Sequence, residues 1–203
     1  MNQQMVTMRQ LSRSWPFGLS RSTALWFVAG FIAVVVALHL LDHPLTLWGE
    51  GLPPQVRSFF RWMTRWGESD WILIPSLAGV VLAWLLSLVT RDRLRQWSRQ
   101  LLVITSFIFL GVGVPSIAAT LLKRIIGRAR PQEWKAEAPL SFNPLNWDAY
   151  SFQSFPSGHS TTAFSLALTI AFLWPKCFWP MLGFAALVAL SRVVIGQHYI
   201  TDI

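Results

Sequence analysis

Three cations, two histidines and one carboxylate, carried in three short runs, supply the parts needed to hold a phosphoryl group and move it. The first run is Lys123, six residues, then Arg130-Pro131. The second is Pro156-Ser157-Gly158-His159, and the third is Ser191-Arg192, with His198 after five further residues and Asp202 after three more. Phosphoryl transfer asks a protein mainly to position its groups and to neutralise charge spread over three equatorial oxygens. Lys123 offers a point charge, while Arg130 and Arg192 offer planar forks matched to phosphate. Ser157-Gly158 opens an apolar segment, where first-turn N–H groups form an anion site. Gly158 lets backbone approach closely, and Ser157 either caps the helix or contacts an oxygen. On a helix His198 and Asp202 would share a face, being four apart. A carboxylate accepting Nδ1–H would then hold the tautomer that leaves Nε2 as nucleophile or base. A basic stretch after an apolar segment is by itself an ordinary topology signal, and Arg124 and Arg128 are read that way.

The elements that must position these groups are membrane helices. Hydrophobic residues make up 53% of the 203-residue chain and charged residues only 13%, about half the charge of an average soluble domain. A span needs roughly 20 apolar residues. Thr23 to Leu41, Trp71 to Val89 and Leu101 to Leu122 qualify, and shorter or interrupted stretches run from His159 to Trp174 and Phe178 to Ile195. All but Trp84 of the twelve tryptophans fall in loops or near these ends, as an interfacial belt requires. The net charge of +8 is divided among loops between spans, which fits anionic headgroups and argues against nucleic acid. One cysteine, Cys177, excludes an internal disulfide or a thiolate metal cluster. The first apolar run is too long for a signal-peptide core and lacks a convincing cleavage site, so it reads as an uncleaved helix.

Residues 1–22 read as a polar, basic, poorly ordered segment. Pro54 to Trp66 reads as a short interfacial helix, with Arg57, Arg61 and Arg65 on one face and Val56, Phe59, Phe60 and Met63 on the other. Residues 90–100 read as a tight basic loop exposed to the cytoplasm. The 123–157 loop, long and without periodicity, reads as functional. With the N-terminus inside, counting spans brings all three runs to the outer face. The expected architecture is therefore all-α: a polytopic transmembrane bundle of five spans plus the start of a sixth, forming one domain over 1–203.

These three runs, matched at all eleven specified positions, resemble the signature of the type 2 phosphatidic-acid phosphatase superfamily over about residues 100–202. The resemblance implies that His198, oriented by Asp202, attacks phosphorus and forms a phosphohistidine. It also implies that His159 protonates the departing oxygen and then activates water. Lys123, Arg130, Arg192, Ser157 and the Gly158 amide would stabilise the equatorial oxygens. No metal and no cofactor are implied. The expected enzyme acts on a lipid phosphate or diphosphate at the outer face of a bacterial inner membrane. Candidates by resemblance are undecaprenyl diphosphate, phosphatidylglycerol phosphate, phosphatidic acid and lipid A phosphates. The alternatives are a lipid phosphotransferase of the same fold and a non-catalytic anion transporter or binding protein. The residues give no reading of oligomeric state. Membrane members of the family usually have six spans, and this sequence stops at Ile203, so it reads as cut from a longer chain.

Overall fold

The computed structural model describes residues 21–134, 141–145 and 147–203. Most of residues 1–22, including Trp15, and part of the 123–157 loop lie outside the described residues. Two compact units are distinguished, one reaching to Leu40 and the other Leu41–Ile203. The first contributes α1 (Arg21–His39), an uninterrupted apolar helix whose Trp26, Phe31 and Val36 are exposed.

The second unit holds α2 (Asp42–Glu50), α3 (Pro54–Met63), α4 (Asp70–Val89), α5 (Asp92–Ile126), α6 (Gly158–Leu173) and α7 (Phe178–Val194). Among the described residues there are no strands, only an isolated antiparallel bridge between Arg128 and Phe142. Every apolar stretch noted above carries a helix. By length and composition alone three helical segments can cross a bilayer: Pro54–Val89, Asp92–Ile126 and Pro175–Val194. The count reaches four when residues 23–39 and 42–50 are taken together, and α6 is shorter.

Pro44 sits in the first turn of α2, where its missing N–H costs nothing. Two local expectations are corrected. The basic stretch 90–100 is not a loop: only Thr90 and Arg91 separate α4 from α5, and the arginines ride on the first turns of α5. Arg, Leu and Gln are good helix formers, and no Gly or Pro interrupts the segment. The expected opening turn of a sixth α-helix is a 3-10 turn over Ile200–Asp202.

Helices in lipid gain little from burying apolar side chains against one another, so small residues that allow close approach carry the packing. Ala163 and Ala167 of α6 meet Ala185 and Val188 of α7, with Met63 of α3 beside them. Ile72, Val112 and Leu166 join α4, α5 and α6. The outward faces stay apolar, with Leu82, Trp84, Leu88, Val103, Leu110 and Ile117 all exposed. So much exposed apolar surface is incompatible with water and suits a bilayer.

α5 ends on Gly127, whose φ of +64° is left-handed and whose N–H closes the helix on the Lys123 carbonyl. A Cβ at Gly127 would lie 1.9 Å from the Asn143 carbonyl oxygen. Gly127→Ala should therefore cost more than the roughly 1–2 kcal/mol of a left-handed non-glycine residue, read as a lowered melting temperature in detergent.

Candidate active site

Beyond Gly127 the chain is extended and stitched on both sides. Ala129 N–H donates to Ser141 and Asn143 N–H to Gly127, while Arg130 N–H donates to Ser151 and Ser154 N–H to Arg128. In an extended segment residues two apart point the same way, so Arg128 and Arg130 both enter the interior, 8% and 2% exposed. Arg130 donates through Nε to the Tyr150 carbonyl, through Nη1 to Gln197 and through Nη2 to the Gln153 carbonyl, and stacks 3.8 Å from the Tyr150 ring centroid. Four bonds and a stacked ring hold its fork in one plane.

Lys123 occupies the last turn of α5, where a cation complements the helix dipole. A Cβ on Gly158 would lie 3.4 Å from its Nζ, an ordinary contact distance, so the ammonium sits against the start of α6. Ser157, fully buried, caps α6: its Oγ accepts from Ser160 N–H at 3.4 Å. The capping role open to this serine from sequence is formed.

The spacing of the third run has a backbone cause. The Arg192 carbonyl accepts from the N–H groups of Gln197 and His198, at 3.0 and 3.2 Å, folding 193–198 into a closed turn through Gly196, whose φ is +71°. The Asp202 carbonyl then accepts Ser157 N–H at 2.8 Å, tying the third run to the second. His198 and Asp202 thus meet without the helix expected of them. His198 Nδ1 lies 3.6 Å from Asp202 Oδ2, an ion-pair distance too long for a hydrogen bond. Oδ2 instead accepts Ser154 Oγ at 2.5 Å and Tyr199 N–H at 2.9 Å, and Oδ1 accepts Arg128 at 2.6 Å.

Burial pushes the His198 imidazole down to about 4, with Asp202 pulling the other way and Arg130 and Arg192 adding to the fall. Burial alone would raise Asp202, but His198, Arg128 and Ser154 hold its carboxyl below the usual range. The pair at neutral pH is a neutral imidazole against an ionised carboxylate.

Arg192, 6% exposed, donates through Nη1 to Thr64 Oγ1 at 2.8 Å, while its Nε is buried without a partner. His159 is within electrostatic reach of Arg192, His198, Lys123 and Arg130, and Lys123 within reach of Arg130, Arg192 and Asp202. All eight residues of the three runs singled out for chemistry therefore gather in one place. His159 lines a polar cleft of about 250 Å³ with Glu68, Asp70, Ser116, Thr120 and Thr162. Through Ser69, Ser116 and Thr120 this cleft continues into an apolar groove of about 500 Å³ between α4 and α5, lined by Leu73, Leu110, Val114, Ile117 and Leu121.

Four residues escaped the sequence reading. Arg128, read as a topology charge, is instead an interior ion-pair partner, and Asp42 and Ser154 belong to the same network. Alternation with Arg130 after a glycine was the one available signal. Gly67 has none: a Cβ there would lie 2.8 Å from His159 Cβ, so the 3-10 turn at 64–67 can pass the histidine only as glycine.

Residues 100–203 match the PAP2 superfamily. Lipid A 1-phosphatase of Rhizobium johnstonii is 29% identical over 204 residues, 95% of this chain and 80% of that protein. Its Rhizobium etli counterpart is 30% identical over 186 residues, 88% of this chain and 77% of that protein. Undecaprenyl-diphosphatase BcrC of Bacillus subtilis is 30% identical over 96 residues, 46% of this chain and 48% of that protein. The crystal structure of a transmembrane PAP2-type phosphatidylglycerolphosphate phosphatase from Bacillus subtilis aligns at a TM-score of 0.55 and 20% identity, covering 88% of this chain and 85% of that one. That likeness concerns the fold.

Helices and relatives together define an integral membrane enzyme that hydrolyses phosphate esters. The chain belongs to the PAP2 superfamily, among its membrane lipid phosphatases.

The His198 shift has a stability consequence whose sign is fixed. The folded value near 4 lies below the ordinary 6.5, so between these pH values the unfolded chain binds more protons. The contribution is fully present above about pH 6.5 and lost as pH falls toward 4. Melting temperature in detergent should drop across that window, and less steeply in His198→Gln than in wild type.

Proposed function

We propose that this chain removes a phosphate from a membrane lipid by metal-independent phosphohistidine chemistry at the extracytoplasmic face. The observation that carries the reading is the gathering of Lys123, Arg130 and Arg192 around a buried neutral His198 set against the ionised Asp202. His198 Nε2 attacks phosphorus, and the bond to the lipid oxygen breaks with its electron pair staying on that oxygen. His159 gives this oxygen a proton. Water, losing a proton to His159, then attacks the phosphohistidine; the phosphorus–nitrogen bond breaks, and inorganic phosphate leaves. Through both steps Lys123, Arg130, Arg192 and the first-turn amides of α6 balance the charge on the equatorial oxygens. Arg192 suits this because its buried Nε has no protein partner to compete with phosphate. Ser157 acts through its cap, holding the α6 N-terminus in register.

The preferred substrate is the phosphate of a lipid A-like glycolipid, because the two lipid A 1-phosphatases match nearly the whole chain. Undecaprenyl diphosphate is the second reading, supported by the shorter match to BcrC. The apolar groove between α4 and α5 would take an acyl or prenyl chain, leaving the lipid oxygen beside His159. The reading takes residues 1–203 as one membrane-embedded domain in a bacterial inner membrane, with five spans and the start of a sixth and α3 lying at the interface.

Phosphate release from a panel of detergent-solubilised lipid phosphates tests this directly. Release should occur from at least one lipid, survive chelation and vanish in His198→Ala. Substantial activity in that variant would remove the nucleophile assignment, and restoration by magnesium after chelation would remove the metal-free one. Val114→Trp, which fills the groove, should raise KM for a long-chain lipid by roughly tenfold, the effect of displacing about two methylenes. Hydrolysis of a short soluble phosphate monoester should not change.

A further inference from the structure

Arg128 lies outside the eleven motif positions, yet it touches the carboxylate that faces His198. Its Nη1 donates to Asp202 Oδ1 at 2.6 Å and to Thr201 Oγ1 at 2.7 Å; its Nη2 donates to Asp42 Oδ2 at 2.7 Å. The guanidinium carbon sits 4.6 Å from the Tyr199 ring centroid. With its fork committed to two carboxylates and a hydroxyl, and stacked on a ring, this arginine is part of the protein's interior framework. It is not aimed at a ligand.

Resting on the phosphatase reading above, we propose that Arg128 is a positioning residue for phosphoryl transfer: by bridging Asp42 and Asp202 it fixes the carboxylate that orients His198 and anchors it to the start of α2. Three features of the geometry require a residue of this kind. Asp202 has no close hydrogen bond to His198 and cannot be placed by it, since Nδ1 is 3.6 Å away. Asp42 is itself held firmly, accepting Thr201 N–H at 3.0 Å and Thr201 Oγ1 on both oxygens. Two buried carboxylates brought to the same threonine segment repel each other, and a cation between them offsets that repulsion. A planar guanidinium can bind both at once, whereas an ammonium acts as a single point charge.

The same bridge sets the electrostatics of the nucleophile. His198 is faced by Asp202, by Arg130 from the extended segment, by Arg192 from α7 and by His159 from α6. Asp202 is faced by Arg128, His198 and Ser154, with Lys123, Arg130 and Tyr199 at longer range. Removing Arg128 takes the cation from beside Asp202, so its carboxylic acid form becomes easier to populate, and the less neutralised carboxylate facing His198 makes the imidazolium easier to populate as well. The two effects have the same sign and move the acid limb of kcat/KM to higher pH.

The test uses purified full-length protein in detergent as wild type, Arg128→Met, Arg128→Lys and Asp42→Asn. Turnover of the lipid phosphate accepted by wild type is measured together with NMR titration of labelled histidine, of which the chain has four. In Arg128→Met, kcat should fall roughly 10- to 100-fold, the loss typical of residues that orient an active-site ligand, with KM unchanged and the His198 midpoint raised. Arg128→Lys keeps the charge but not the bridge, and Asp42→Asn weakens the anchor. Each should lower kcat less than Arg128→Met does, again without moving KM.

A raised KM at constant kcat would make Arg128 a substrate contact and overturn the proposal. So would a fallen kcat with an unmoved His198 midpoint and pH profile, which would mark a merely structural residue. Should Arg128→Met fail to fold, unchanged kcat in both Arg128→Lys and Asp42→Asn overturns it equally. The titration needs no substrate, so a wild type that releases no phosphate counts against the phosphatase reading while leaving Arg128 to be judged on the midpoint.

Discussion

A buried carboxylate has to be fully hydrogen-bonded or it will not stay ionised, and Asp202 meets that demand by drawing on every part of the site. Its side chain takes a guanidinium from the segment after α5, a hydroxyl from the stretch before α6 and a backbone amide of its own turn. Its carbonyl takes the Ser157 amide at the start of α6. Runs far apart in the chain are thus registered against one residue. The arrangement explains how a bundle held by small-residue contacts, which tolerate sliding, can present a chemical site with defined spacing.

Around this anchor the positive charge is distributed unevenly. Arg130 spends its hydrogen bonds on carbonyls and a glutamine, which makes it a rigid cation with little left to donate. Arg192 donates to Thr64 and has a buried Nε–H without a protein partner. Lys123 places its ammonium against the start of α6. The three cations thus differ in how far the protein's own groups already occupy them.

Much of this was legible because chemistry-bearing residues stood at the ends of apolar segments. The five apolar stretches became helices, and the third run's spacing reflects a turn that the Arg192 carbonyl closes on His198. What was not legible depended on long-range partners or on a wrong local inference. Arg128 pairs with Asp42, 86 residues away, and only its alternation with Arg130 after a glycine sets that arginine apart from a surface charge. The basic 90–100 stretch looked like a loop because charge suggests exposure, yet charge does not break helices and those residues favour them. His198 and Asp202 do adjoin as i,i+4 spacing suggested, but through a closed turn and a 3-10 turn, which also leaves their contact longer than a helix-based argument would have it.

α5 runs for 35 residues, about 52 Å at 1.5 Å per residue, against a hydrocarbon core of roughly 30 Å. One continuous rod therefore carries Arg93, Arg95 and Arg99 at one end and Lys123 at the other. A helix longer than the hydrocarbon it would cross cannot keep both ends at the boundary without tilting. Seating the arginines among the headgroups of one leaflet would carry Lys123 past the hydrocarbon of the other, so bilayer thickness and helix tilt would set its height.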